Sequence, residues 1–162
     1  MRHQRPGKVA RRGPVAGARP PDGTERTSQL THRPIAAGVF TAGPSPRLIA
    51  GRDRGSGRIV FPRPPQDERF EEFILPHHGI LWSYTVQRFA PKSPPYAGSI
   101  PFEPFAVGYV EIAGTLIVEG RLTGVAFERL RIGMPMEVAI MPLRTDPDGT
   151  VVTTFAFQPQ GE

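Results

Sequence analysis

The sequence that decides the fold begins with Gly79-Ile-Leu-Trp-Ser-Tyr-Thr-Val-Gln87. The same character returns in Phe105-Ala-Val-Gly-Tyr-Val-Glu-Ile112, in Thr115-Leu-Ile-Val-Glu-Gly-Arg-Leu122 and in Val151-Val-Thr-Thr-Phe-Ala-Phe157. These segments hold the single Trp and are rich in β-branched and aromatic residues, which strands prefer. We therefore predict a mainly β domain in which short strands share one core.

Turn signals set the order of these strands. Ala113-Gly114 joins the second and third segments as a hairpin, and Ala126-Phe-Glu-Arg-Leu130 can form one helical turn. Met136-Glu-Val-Ala-Ile-Met141 forms a fourth strand, and the strong turn signal Asp146-Pro-Asp-Gly149 leads into the fifth. Five strands with a short helix between the third and fourth suit an OB-fold, which is a five-stranded Greek-key barrel. A generic β-sandwich is the alternative.

The chain divides into three predicted parts, of which residues 77–162 are the OB-fold. Residues 35–76 form a ribbon-like hairpin and linker, with two short strands around Arg52-Asp-Arg-Gly-Ser-Gly57. The polar stretch 66–72 is predicted as a turn or one helical turn. Residues 1–34 have no aromatic side chain and few large aliphatic ones, so they cannot bury enough apolar area to order on their own, and we predict a disordered tail.

The positive charge is concentrated in this tail. The whole chain has a net charge of +5, but residues 1–34 carry eight Lys or Arg against two acidic residues, a net of +6. Residues 35–162 carry twelve basic against thirteen acidic residues, a net of −1. Nucleic-acid binding by the barrel therefore lacks its main electrostatic support, and nucleic acid is not an expected partner.

Composition also limits the location and the cofactors. The absence of Cys excludes disulfides and any Cys-ligated zinc. No stretch approaches the roughly 20 apolar residues that a membrane helix needs, and the N-terminus shows no apolar signal-peptide core. We expect a cytoplasmic protein that does not contact a membrane.

No catalytic constellation emerges from the sequence. His77-His78 is the only His pair, but neighbouring side chains on an extended segment point to opposite faces, and no third ligand lies nearby in sequence, so no metal site is expected. Glu111 and Glu119 lie on opposite sides of the predicted hairpin and could face each other, yet a solvated strand face is favoured over acid–base chemistry. Glu103 and Glu137 lie in other segments of the sequence, apart from these two carboxylates. Motifs for a Ser nucleophile, a phosphate-binding loop and a zinc protease are missing.

A long Pro-rich loop, residues 90–104, follows the first strand of the barrel, and loops of this length are often functional. Its aromatic and apolar residues cannot all enter the core, so we predict a partner interface made of Phe89, Pro94, Pro95, Tyr96, Ile100, Phe102 and Phe105. Trp82, Tyr84 and Tyr109 alternate with polar residues and are predicted mainly to fill the barrel. Exposed on an OB-fold, they would instead be suited to stack on bases.

Four motifs carry a family resemblance. At Arg52-Asp-Arg-Gly-Ser-Gly-Arg-Ile-Val-Phe-Pro62, Gly79-Ile-Leu-Trp-Ser-Tyr-Thr-Val86, Gly120-Arg-Leu-Thr-Gly-Val125 and Leu130-Arg-Ile-Gly-Met-Pro-Met-Glu-Val138, the chain resembles the OB-fold acyl-CoA-associated family. Members of that family join a rubredoxin-like zinc ribbon to an OB-fold. The resemblance covers roughly residues 47–143.

The chain departs from the family in its zinc ribbon. The resemblance implies two Cys-x-x-Cys knuckles, of which the first falls on Asp53 and Ser56 and the second near residues 66–70, and none of these residues is Cys. We therefore expect a degenerate ribbon without zinc, and no cofactor bound by this chain. The hairpin shape is expected to survive through Gly55, Gly57 and Phe61-Pro62.

The resemblance implies a non-catalytic accessory subunit. Family members accompany thiolase-like acyltransferases and aldolases, including those of steroid side-chain degradation, and the partner supplies the chemistry on an acyl-CoA substrate. The expected assembly is a hetero-oligomer with a thiolase-like dimer, and Arg52, Arg54 and Arg58 are candidates to contact CoA phosphates. The alternative from a different class is a single-stranded nucleic-acid-binding OB-fold module.

Overall fold

The structure is a computed structural model that describes residues 31–92, 100–114 and 116–161. It contains nine strands and one short 3-10 helix, Phe127–Arg129. The strands are β1 (His32–Pro34), β2 (Ile49–Asp53), β3 (Ile59–Val60), β4 (Phe70–Ile74), β5 (His78–Gln87), β6 (Phe105–Ile112), β7 (Leu116–Leu122), β8 (Pro135–Thr145) and β9 (Val151–Pro159).

Strands β5 to β9 close into a five-stranded barrel. The hydrogen-bonded order is β5-β6-β7-β9-β8, and β8 returns to β5 through the pairs His78–Glu137, Gly79–Met136 and Ile80–Pro135. β7 and β9 run parallel, while the other pairs are antiparallel. This order, with the 3-10 helix between the third and fourth barrel strands, confirms the predicted OB-fold. No helix in the described part of the chain is long and apolar enough to cross a membrane.

The barrel interior is filled by side chains that alternate along the strands. In β6 and β7 the even-numbered residues point inward and the odd-numbered ones outward. The fully buried side chains include Leu81, Val110, Ile112, Met136 and Phe157. Burial of each contributes about 1.5–3 kcal/mol to folding, so this interior is the main source of stability.

Strand β5 contains a bulge at Trp82. Leu81 pairs with Val110 and Ser83 pairs with Tyr109, so Trp82 is an extra residue without a partner on β6. The bulge reverses the alternation of β5 and leaves Trp82 57% exposed. The prediction that Trp82 fills the barrel is therefore wrong, and it is also wrong for Tyr109, which points outward from β6 and is 40% exposed. Tyr84, beyond the bulge, does pack against the core.

A second, three-stranded sheet precedes the barrel, in the order β3-β2-β4. The sequence predicted β2 and β3 but took residues 66–72 for a turn, whereas Phe70–Ile74 is strand β4 and pairs with all of β2. Leu48 and Leu75 are fully buried in the barrel's own hydrophobic cluster. The small sheet is therefore packed onto the barrel and does not stand apart from it.

The first strand, β1, pairs in parallel with the start of β9. Arg33 in β1 forms an ion pair with Asp146 at 2.5 Å, which ties it to the turn between β8 and β9. The tail was predicted as residues 1–34, so its last three residues belong to this strand, while residues 1–30 lie outside the described part.

Candidate partner-binding site

The outer surface of the sheet β5-β6-β7 carries four exposed large hydrophobic side chains. Its side chains lie in rows across the strands, because the register pairs Ile80 with Glu111 and Glu111 with Ile117. In the next row, Tyr109 of β6 pairs with Glu119 of β7 and with Ser83 of β5, the residue after the bulged Trp82. We call the group formed by Ile80, Trp82, Tyr109 and Ile117 the apolar patch.

The side chains of the apolar patch reach solvent on a rigid sheet. Ile80, Trp82, Tyr109 and Ile117 are 45, 57, 40 and 44% exposed. Isolated exposed apolar residues are common, but these four share one face of three neighbouring strands, and exposed apolar groups of this kind mark interaction sites. Tyr and Trp are also the residues that most often dominate binding energy at protein interfaces. The patch is therefore suited to bind another macromolecule.

Acidic side chains lie within and beside the patch. Glu111 separates Ile80 from Ile117, and a hydrogen bond with Glu119 raises the pKa of Tyr109 above its usual value. Arg121 stacks on the Phe105 ring, with its guanidinium carbon 3.7 Å from the ring centroid. The described part of this face thus carries the carboxylates of Glu111 and Glu119 and the guanidinium of Arg121, which is stacked on Phe105. The two carboxylates are not directly opposite, since Glu111 pairs with Ile117 and Glu119 with Tyr109.

Four of the predicted interface residues lie in the described part of the chain, and one of them, Phe105, lies on β6 where it pairs with Gln87 of β5. Phe89 and Ile100 are 82 and 93% exposed. Phe105 is half-buried on β6, and its ring centroid lies 6.0 Å from that of Phe102. Pro94, Pro95 and Tyr96 fall outside the described residues. The role of these residues as a partner interface stays a prediction. The sequence did not predict the apolar patch, because the bulge at Trp82 leaves no signal in an alternating segment.

The three arginines proposed to contact CoA phosphates lie on one hairpin but have different partners. Arg52 stacks on Phe73, with its guanidinium carbon 4.0 Å from the ring centroid. Arg54 donates to the carbonyl of Glu68 at 3.2 Å and lies 3.7 Å from the carboxylate of Glu71. The Arg58 side chain is exposed and contacts no partner among the residues that the structure describes. Of the three, Arg58 is the one whose side chain makes no such contact with a described residue, and the CoA-phosphate role of all three stays a prediction.

At the positions where the resemblance implies zinc ligands, the side chains of Asp53 and Asp67 form hydrogen bonds within the chain. Asp53 Oδ1 accepts from the amides of Gly55 at 2.9 Å and Ser56 at 2.8 Å, and these bonds hold the pKa of Asp53 below its usual value. At the second knuckle, the Asp67 carboxylate accepts from the amide and the guanidinium of Arg69. Neither knuckle offers the thiolates or imidazoles that a structural zinc site uses. The residues at these positions do not fit zinc.

The His pair differs from the sequence expectation. His77 lies in a bend before β5, and His78 is its first residue, so the two rings come together with centroids 4.8 Å apart. Glu137 of β8 lies beside them. The expectation that the pair diverges without a nearby third ligand is wrong, because the bend breaks the alternation and barrel closure supplies the carboxylate.

The closed five-stranded barrel defines an OB-fold domain. Residues 75–140 match the sequence model of the family described as ChsH2, C-terminal OB-fold domain, so this part of the chain is similar to that domain.

Relatives extend the likeness to most of the described chain. A DUF35 domain-containing scaffold protein of Pyrococcus furiosus is 27% identical over 119 residues, which cover 70% of this chain and 83% of the relative. A scaffold protein of the same description from Methanocaldococcus jannaschii is 28% identical over 122 residues, covering 69 and 81%. The solved structure of an Ltp2-ChsH2(DUF35) aldolase is similar in fold, with a TM-score of 0.51 and 24% identity over 70% of this chain and 84% of that one.

Proposed function

We propose that this chain is an accessory scaffold subunit that binds an aldolase or a thiolase-like acyltransferase through the β5-β6-β7 face. The observation that carries the proposal is the apolar patch, to which Trp82 contributes from the bulge in β5. A rigid sheet loses little conformational entropy on binding, which favours affinity. The naming of two relatives as scaffold proteins and of a structural neighbour as part of an aldolase supports the same role.

The chemistry of the complex is assigned to the partner. The family resemblance points to an acyl-CoA substrate, and steroid side-chain CoA thioesters cleaved by retro-aldol reaction are the specific substrate class that we propose. In this proposal the chain itself binds no cofactor for the reaction, and Arg58 is the arginine best placed to contact a CoA phosphate. The complex is proposed to be a cytoplasmic hetero-oligomer built on a thiolase-like dimer.

The test is co-expression of the full chain with the thiolase-like protein encoded beside it, followed by size-exclusion chromatography with light scattering. We expect a stable hetero-oligomer. Ile117→Glu places a charge within the apolar patch and should abolish co-elution, since an unpaired charge in an interface is costly. Leu143→Glu is the matched control, because Leu143 on β8 is equally exposed, at 44%, but lies away from the patch. Failure of the wild-type chains to co-elute would contradict the proposal, as would equal effects of the two substitutions.

The nucleic-acid alternative has one observation in its favour, which is the exposure of Trp82 and Tyr109 on the face that OB-folds use for oligonucleotides. Glu111 and Glu119 on that face oppose a phosphate backbone. Titration with single-stranded DNA separates the two functions. Salt-dependent binding that persists after deletion of residues 1–30, which leaves β1 in place, and is lost on Trp82→Ala would favour the alternative.

A further inference from the structure

Barrel closure assembles a cluster of potential metal ligands that the partner-binding role does not use. His78 opens β5 and is the direct cross-strand partner of Glu137 in β8, while the amide of Val138 donates to the carbonyl of His77 at 3.0 Å. One ligand atom from each of His77, His78 and Glu137 lies within 4.8 Å of the other two. The backbone pairing of two strands therefore fixes the spacing of the three side chains.

The His77 ring is held in one orientation. Its Nδ1 lies 2.6 Å from the carbonyl oxygen of Pro46. A carbonyl can only accept, so Nδ1 donates the proton, and in the neutral ring the lone pair is on Nε2. That nitrogen faces Glu137 Oε2 at 3.7 Å. A backbone carbonyl that fixes the tautomer in this way is the usual outer partner of a metal-binding His.

The carboxylate of Glu137 is held in the same manner. Gln158 in β9 donates from its amide nitrogen to Glu137 Oε1 at 2.7 Å, which leaves Oε2 directed at His77. The side chains of His77 and Glu137 are 14 and 21% exposed and line a cleft of about 280 Å³ beside the segment 43–46. His77 and Glu137 are thus partly shielded from water. Each is oriented by a hydrogen bond, His77 by Pro46 and Glu137 by Gln158.

The spacing matches a transition-metal ion. Two ligands bound to Zn²⁺ at about 2.0–2.1 Å with a tetrahedral angle lie about 3.4 Å apart, so the 3.7 Å between His77 Nε2 and Glu137 Oε2 requires only a small movement. Exposed His78 can rotate to complete the set. Two imidazoles and a carboxylate are a donor set that favours Zn²⁺ over Mg²⁺ or Ca²⁺.

We propose that His77, His78 and Glu137 form a Zn²⁺-binding site at the seam where β8 closes the barrel onto β5. The site is separate from the ribbon knuckles at Asp53 and Asp67. Three protein ligands leave one coordination position, which water or a donor from a second molecule occupies. The bound ion would link strands β5 and β8. Because His77 also bonds to the Pro46 carbonyl, the ion would connect these strands to the segment that leads into the small sheet.

The test is equilibrium dialysis of the full, tag-free chain against Zn²⁺ after treatment with EDTA, with metal measured by mass spectrometry. We expect saturable binding of one Zn²⁺ per chain. His78→Ala and Glu137→Gln should each weaken binding by about tenfold or more. His32→Ala is the matched control, because His32 is an exposed histidine on β1 outside the cluster, and it should bind as the wild type does. Co²⁺ supplies a second readout, since its visible spectrum reports the ligand geometry.

These variants are chosen to stay folded, since His78 is exposed and Gln can still accept the hydrogen bond from Gln158. Absence of saturable Zn²⁺ binding to the wild-type chain would overturn the proposal and leave the three side chains as a polar cluster at the barrel seam. Binding that survives both His78→Ala and Glu137→Gln, or that is lost on His32→Ala, would also overturn it by assigning the ion to other histidines. None of these outcomes bears on the binding of an aldolase subunit.

Discussion

Gly108 of β6 lies directly opposite Gly120 of β7, and the space above this glycine pair is filled by side chains from elsewhere in the barrel. A Cβ at Gly108 would lie 2.7 Å from Leu122 Cδ2, and a Cβ at Gly120 would lie 2.9 Å from the Phe157 ring. Because both neighbours belong to the buried core, they cannot move aside cheaply. The paired glycines thus set the width of the barrel interior at this level.

We expect Gly120→Ala to lower the free energy of unfolding by about 1–3 kcal/mol, because the added methyl overpacks the core against Phe157. Urea denaturation followed by circular dichroism measures the change. Gly161→Ala is the control, since a Cβ there meets nothing within 4 Å. Equal stability of the two variants would show that the core can repack around the methyl.

The knuckle at Asp53 provides a second prediction. Asp53→Ala removes the acceptor of the Gly55 and Ser56 amides and should lower the urea midpoint, whereas Asp53→Asn keeps an acceptor oxygen and should lower it less. The measurement is equilibrium unfolding of the three proteins side by side. A midpoint for Asp53→Ala equal to that of the wild type would mean that the carboxylate does not stabilise the hairpin.

Acid stability should depend on Asp146. A hydrogen bond from Arg33, together with one from Arg144, holds the pKa of Asp146 below its usual value. A carboxyl group whose pKa is lowered by folding stabilises the fold fully above its unfolded pKa of about 4, and this contribution is lost as the pH falls through the folded pKa. We therefore expect the unfolding midpoint of the wild type to fall more steeply below about pH 4 than that of Asp146→Asn.

This comparison needs parallel urea titrations at several pH values between 3 and 7. At pH 6–7 Asp146→Asn should be the less stable protein, because the ion pair with Arg33 is lost. The difference should shrink on acidification. A difference that stays constant down to pH 3 would show that the ion pair is not linked to stability.

Trp82 is the single Trp of the chain, so its fluorescence reports on the apolar patch. In the free protein we expect emission close to that of exposed indole and ready quenching by acrylamide, since Trp82 is 57% exposed. Binding of the partner should shift the emission to the blue and protect it from quenching. The complex formed with the Trp82→Phe variant gives the fluorescence of the partner's own Trp residues, which is subtracted. Unchanged quenching in a stable complex would place the interface elsewhere.

The sequence alone determined the barrel. Strand order, the hairpin at Ala113-Gly114 and the turn at Asp146–Gly149 follow from local patterns, and the structure has the same elements. In that turn the amide of Gly149 donates to the carbonyl of Asp146 at 2.9 Å, and Gly149 has a φ of 84°, which explains why glycine is required there. Such features were predictable because their determinants lie within a few residues of one another.

The tertiary structure decided what the surfaces can do. Trp82 reaches solvent because β6 lacks one residue opposite it, and this depends on a register that no local pattern specifies. Strand β4 forms because β2 offers it a pairing edge, despite the acidic pair Glu71-Glu72. Glu137 meets His77 and His78 only because β8 closes the barrel against β5. Each of these outcomes depends on contacts between residues far apart in the chain, whose geometry is set by strand pairing and burial and not by local sequence.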